Sequence, residues 1–144
     1  MTFLANNYNR KKISFKKGIG SYLVATNGKK YLDFCSGIAV NSLGHANPRL
    51  VKALYKQAQK VWHVSNAFTI PEGEILAKKL VKKTFADSVI FQNSGTEATE
   101  VAIKVARRYF YSIGKPKKNR ILCVKNSFHG RTIAAIFASG SKKM

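Results

Sequence analysis

Two short segments of this 144-residue sequence hold side chains able to do chemistry together: Ser94-Gly95-Thr96-Glu97 and Ser127-Phe128-His129-Gly130-Arg131-Thr132. The first has the form of a capping box, in which Ser94 accepts from the amide of Glu97 and Glu97 reaches back to the amide of Ser94. The amides left over then stand at the positive end of a helix dipole. Gly95 permits close approach, Thr96 adds a hydroxyl, and a phosphate suits such a cup. A capping box by itself also opens many helices that bind nothing. The second segment sets an aromatic ring for stacking beside a glycine and a guanidinium fork that matches a carboxylate. On spacing alone Phe128 serves equally well in a core, and Arg131 equally well as an exposed charge. Neither Gly-x-x-x-x-Gly-Lys nor Gly-x-Gly-x-x-Gly occurs, which argues against a nucleotide loop.

Both segments follow short apolar runs. Val89-Ile90-Phe91 precedes the first and Ile121-Leu122-Cys123-Val124 the second, and between them Ala98, Val101, Ala102, Val105, Ala106 and Tyr109 recur at helical spacing. The pattern predicts a βαβ unit whose two loops emerge at one edge of a parallel sheet and face one crevice. A further helix is expected from Thr132 to Ser139. Upstream, Ser21–Ala25 and Lys30–Phe34 flank Asn27-Gly28, which predicts a β-hairpin with a tight primed turn having two positive-φ residues. Ser36 to Ala46 is expected to cross irregularly. Asn47 then caps a helix with Pro48 in its first position and Val51, Leu54, Tyr55, Ala58 and Trp62 along one face. Glu72 to Lys83 returns to helical spacing, with Lys78, Lys79, Lys82 and Lys83 on a solvated face. The expected organisation is an N-terminal segment, residues 1–70, followed by the start of a larger domain, residues 71–144.

A 45% hydrophobic content suffices for a core and argues against a disordered tail. The net charge of +20, with every acid between Asp33 and Glu100, invites a polyanion partner. No recognition helix, zinc finger or RNP-like pattern accompanies the lysines, which spread through every segment as on solvated faces. Cys35 and Cys123 lack Cys-x-x-Cys partners and indicate neither a disulfide framework nor a zinc site. His45 and His63 lack metal-ligand spacing and read as structural, so no metal is expected. No apolar run is long enough for a signal peptide or a membrane span, and a cytoplasmic location is expected.

From Tyr8-Asn9-Arg10 to the last residue the sequence resembles class III (fold type I) aminotransferases of the acetylornithine and succinylornithine type. The resemblance rests on Tyr31-Leu32-Asp33-Phe34-Cys35-Ser36-Gly37-Ile38-Ala39-Val40-Asn41-Ser42-Leu43-Gly44-His45, His63-Val64-Ser65-Asn66, Asn93-Ser94-Gly95-Thr96-Glu97-Ala98 and Ser127-Phe128-His129-Gly130-Arg131-Thr132. A match beginning near Tyr8 leaves little room for a presequence and supports the cytosolic expectation. Thr99, where the family commonly has Asn, lies outside the phosphate contacts.

The resemblance implies an α/β fold: the N-terminal part of the fold type I aminotransferase fold, with an incomplete large-domain sheet and an N-terminal hairpin segment. It implies pyridoxal 5'-phosphate as cofactor, with Gly95 and Thr96 on its phosphate, Phe128 on its pyridine ring, Arg131 on a substrate carboxylate, and His129 positioning the loop. The implied reaction moves the δ-amino group of N2-acetylornithine to 2-oxoglutarate, giving glutamate, in arginine biosynthesis and in a homodimer with its sites at the subunit interface. The Schiff-base lysine of the family, the aspartate that pairs with the pyridinium nitrogen and the small C-terminal domain have no counterpart in these residues. The chain by itself is therefore expected to be inactive. Two alternatives from other classes are a non-catalytic chain that associates with partner subunits or binds an anion, and a basic nucleic-acid binder.

Overall fold

Asn27-Gly28 joins two antiparallel strands, β2 (Tyr22–Ala25) and β3 (Lys30–Leu32), in the register Tyr22↔Leu32, Leu23↔Tyr31 and Val24↔Lys30. The turn is not of the primed kind. Only Gly28 takes a positive φ, 86°, while the Asn27 side chain accepts from the amide of Lys29 at 3.1 Å. The Ala25 amide donates to the Lys29 carbonyl across a three-residue loop. Loops of that length use an ordinary turn closed by a left-handed glycine, which suits the strand twist equally well. A further strand, β1 (Phe15–Ile19), pairs with the other side of β2. Phe-Lys-Lys-Gly-Ile shows no alternation that would announce a strand. Its form comes from pairing, with a register shift between Phe15 and Lys17 and an edge-on contact of the Phe15 and Tyr31 rings at 5.7 Å.

The structure, a computed structural model, describes residues 3–140. The chain divides into two compact units, Met1–Thr69 and Ile70–Met144.

In the first unit the expected irregular crossing contains a wound turn of unusual hand. Residues of α1 (Ser36–Ala39) take φ values of 46°, 63°, 65° and 60° in order, the left-handed region throughout. For the non-glycine residues this costs about 1–2 kcal/mol each. Asp33 offsets part of that cost: its Oδ1 accepts from the amides of Cys35 at 3.1 Å and Ser36 at 2.9 Å. Its Oδ2 meets His45 Nε2 at 2.7 Å, and the His45 backbone bridges to Gly20. His45 is thus a structural histidine, as expected, while His63 lies exposed in the loop after the next helix.

The Asp33 side chain is only 8% exposed, and the hydrogen bond from His45, then that from the Ser36 amide, hold its carboxyl below the ordinary value of 3.8. A group lowered on folding adds stability that is fully present above its unfolded pKa and is lost as pH falls through the folded one. The stability gap between the wild type and Asp33→Asn is therefore full above about pH 4 and closes in stronger acid. Urea melts of both proteins at stepped pH measure it. A gap that stays constant or widens in acid contradicts this assignment.

Helix α2 (Pro48–Ala58) starts as expected, with Asn47 Oδ1 accepting from the Arg49 amide at 3.0 Å and Pro48 in the first turn. Trp62 falls beyond the helix and instead donates its indole N–H to the Ala58 carbonyl at 2.7 Å. In the second unit, α3 (Pro71–Val81) carries Glu72 and Glu74 in its first turn and Lys78 and Lys79 in its last, which suits the helix dipole at both ends. Helix α4 (Gly95–Ser112) follows, and α5 (Ile133–Ser139), whose Ala135 and Ser139 are fully buried, packs against it.

The two parallel strands expected at 89–91 and 121–124 are absent from the strands of the described residues, whose one sheet has the order β1-β2-β3. Consecutive strands of a parallel sheet need not be neighbours, and an apolar run without a partner on either side forms no ladder. Nor does the apolar composition close a core. Ala25 and Ala135 are the buried hydrophobic residues among those described, and the accessible surface is 13459 Å². A folded monomer of this mass exposes about 7,400 Å². The apolar stripe of α4 is present at the expected spacing, yet Val105 and Tyr109 are 51% and 58% exposed.

Candidate functional site

Ser94 precedes α4 in extended conformation and its Oγ accepts from the Glu97 amide at 3.2 Å, the first half of the expected capping box. The second half differs. Glu97 Oε2 accepts from the Ser94 hydroxyl at 3.0 Å and does not reach the Ser94 amide. A short box closed through the hydroxyl still fixes the helix start, and it leaves the amides of Gly95 and Thr96 with no acceptor within the helix. A β-carbon built on Gly95 would meet nothing within 4 Å, so there is free space beside Gly95 at this helix end. The Thr96 side chain is half-buried beside them.

The second segment reaches this helix end directly. Val124 to Ser127 form a turn in which the Ser127 amide donates to the Val124 carbonyl at 3.3 Å and Asn126 takes φ of 60°. The chain then passes Phe128, whose ring is 68% exposed, and places buried Gly130 against Thr96. The contact is close enough that a β-carbon on Gly130 would lie 2.7 Å from the Thr96 β-carbon, and Gly130 has a φ of 119°. One turn further, Thr132 Oγ1 donates to Glu100 Oε1 at 2.5 Å, tying the start of α5 to the first turns of α4. Arg131 is exposed between these two contacts. Gly95, Thr96, Phe128 and Arg131 thus belong to two segments that meet, although the parallel ladder expected to align them is missing.

Three contacts went unread in the sequence. Gly130 on Thr96 and Thr132 on Glu100 join residues more than thirty apart and leave no local signature. The third, His129 Nε2 to Ser127 Oγ at 2.8 Å, had only the spacing of two residues to betray it. Chemically, the site offers two unpaired amides at a positive helix end, a hydroxyl, an exposed aromatic face and a guanidinium. These fit a small anion attached to a flat ring, and the nearby carboxylates of Glu97 and Glu100 are each held on a hydroxyl. Among the described residues no group of three or more His, Cys, Asp and Glu is placed to hold a metal ion. No helix among them is long and apolar enough to cross a membrane.

The chain belongs to the class-III aminotransferases, whose family model matches residues 3–144. Members of that family use pyridoxal 5'-phosphate. Within it, the chain is 54% identical over 140 residues to an acetylornithine aminotransferase of Agrobacterium fabrum, and 51% identical over 144 residues to one of Aquifex aeolicus. These alignments take in 97% and 99% of the chain but 35% and 38% of the relatives, so the chain spans about a third of their length. Among solved structures, N-acetylornithine aminotransferase from Stenotrophomonas maltophilia matches with a TM-score of 0.77 and 41% identity, over 85% of this chain and 34% of that one. Adenosylmethionine-8-amino-7-oxononanoate aminotransferase from Methanocaldococcus jannaschii matches with a TM-score of 0.89 and 32% identity, over 98% and 34%. The expected fold relation therefore holds for these residues, as part of a larger α/β enzyme fold.

Proposed function

We propose that the chain is part of a pyridoxal-phosphate-dependent acetylornithine aminotransferase, carrying the cofactor's phosphate cup and one wall of its ring site. The observation that carries this reading is the seating of Gly130 on Thr96 at the amino end of α4. The Gly95 and Thr96 amides and the Thr96 hydroxyl hold the phosphate, and the Phe128 ring covers one face of the pyridine. Arg131 takes a substrate carboxylate as a fork, which suits both N2-acetylornithine and 2-oxoglutarate. The cofactor supplies the electron sink for amino-group transfer in arginine biosynthesis, and these residues orient it and shield it from water. The N-terminal unit and the start of the cofactor domain, residues 1–70 and 71–144, contribute to a cytoplasmic homodimer. A second reading, association with partner subunits without catalysis, draws on the large exposed apolar surface.

Pyridoxine 5'-phosphate tests the site without reacting with the many lysines, because it has no aldehyde. Titrated at physiological salt against pyridoxine, the phosphate ester binds more tightly, and Thr96→Val lowers its affinity roughly tenfold while leaving pyridoxine unaffected. Equal affinities for the two compounds, or an unchanged Thr96→Val protein, overturn the proposal.

A further inference from the structure

We propose that His129 is a positioning residue: as the Nε2–H tautomer it donates to the Ser127 hydroxyl, locking the turn that presents Phe128 and seats Gly130 on Thr96. The proposal rests on the cofactor reading above for its consequence, and on hydrogen-bond geometry for its mechanism. Ser127 Oγ lies 2.6 Å from the Val124 carbonyl and 2.8 Å from His129 Nε2. A carbonyl can only accept, so the single hydroxyl proton is committed to Val124. Toward the imidazole, Ser127 Oγ is left with lone pairs alone. Nε2 must then carry a proton, and in the neutral ring Nδ1 is the unprotonated nitrogen.

This chain of two bonds, imidazole to hydroxyl to carbonyl, spans Val124 to His129 and closes the turn through side chains where the backbone supplies one bond, from the Ser127 amide at 3.3 Å. It brackets Phe128 on both sides. Phe128 is 68% exposed and so has little packing of its own to fix its direction, and the residue after His129 is the glycine that touches Thr96. A side chain that holds both neighbours of the stacking ring sets where the ring stands relative to the amides of α4. His129 is half-buried, one residue from this contact, and the proposed reaction gives it no proton to move.

The test uses the chain with an imidazole-labelled histidine and long-range proton–nitrogen correlation at a pH where the ring is neutral. The expected signature is a protonated Nε2 and a bare Nδ1, shifting toward a mixture in Ser127→Ala. The nuclear Overhauser contact between the Gly130 α-protons and the Thr96 methyl persists in His129→Gln, whose amide keeps a donor at the same reach, and is lost in His129→Leu. Pyridoxine 5'-phosphate affinity follows the same order, falling roughly tenfold in His129→Leu and recovering in His129→Gln. A protonated Nδ1, or a Gly130–Thr96 contact unaffected by leucine, overturns the proposal. Should His129→Leu fail to fold, the tautomer and the glutamine variant still decide. A wild-type chain that takes up no pyridoxine 5'-phosphate counts against the cofactor reading alone, because the tautomer and the Overhauser contact judge His129 without any ligand.

Discussion

Replacing Gly130 with alanine is expected to lower the melting temperature of the Ile70–Met144 unit by about 5–15 °C, whereas alanine at Gly95 leaves it unchanged or slightly raised. The two glycines face opposite conditions. At Gly130 a β-carbon would lie 2.7 Å from that of Thr96, on a backbone with φ of 119° that lies outside the small left-handed region open to other residues. Strain of that kind costs about 1–3 kcal/mol, and the overlap adds to it, because a threonine β-carbon cannot swing aside as the tip of a lysine can. At Gly95 the same atom meets open space and joins the first turn of a helix, where alanine is the better residue. Ligand affinity separates them in the opposite sense. Gly95→Ala folds well but adds a methyl group to the proposed phosphate cup, and pyridoxine 5'-phosphate is expected to bind roughly tenfold or more weakly. Thermal melts paired with titrations check both halves. A Gly130→Ala protein as stable as the wild type would show that the two segments do not touch.

The second large effect concerns turnover. Mixed with N2-acetylornithine, 2-oxoglutarate and pyridoxal 5'-phosphate, the 144-residue chain is expected to form glutamate no faster than the free cofactor does. Its residues can hold a phosphate and flank a ring, but the proton transfers of amino-group exchange need a base held at the reacting carbon. Positioned general acid–base catalysis alone contributes about 10²–10⁴-fold, and a covalently anchored amine adds the holding of the cofactor itself. None of the lysines here stands in the family's motif for that role. A coupled glutamate assay against a cofactor-only control measures it, and turnover above that control that requires the chain would refute the division of labour assigned to these residues.

Much of the local geometry of the candidate site is legible in the sequence, because its parts are local. A serine three residues before a glutamate at the head of an apolar helical stripe specifies its own geometry, and Asn47-Pro48 does the same for α2. What escaped was set by distant partners. β1 is a strand because β2 lies beside it, and 89–91 and 121–124 form none because no described strand does. The Asn27-Gly28 turn was right in place and wrong in type, since the glycine alone can supply the hand that a three-residue loop needs. The reach of Thr132 to Glu100 likewise follows from how α5 lies on α4, which no window of neighbouring residues encodes.

The reversed winding of Ser36–Ala39 inverts the ordinary scale of residue tolerance. In most turns of helix, alanine and branched side chains fit and glycine weakens; here Ile38, at φ of 65° and 91% exposed, occupies a position where glycine would be the least costly residue and isoleucine among the dearest. Propensity scales applied to this stretch therefore rank substitutions backwards.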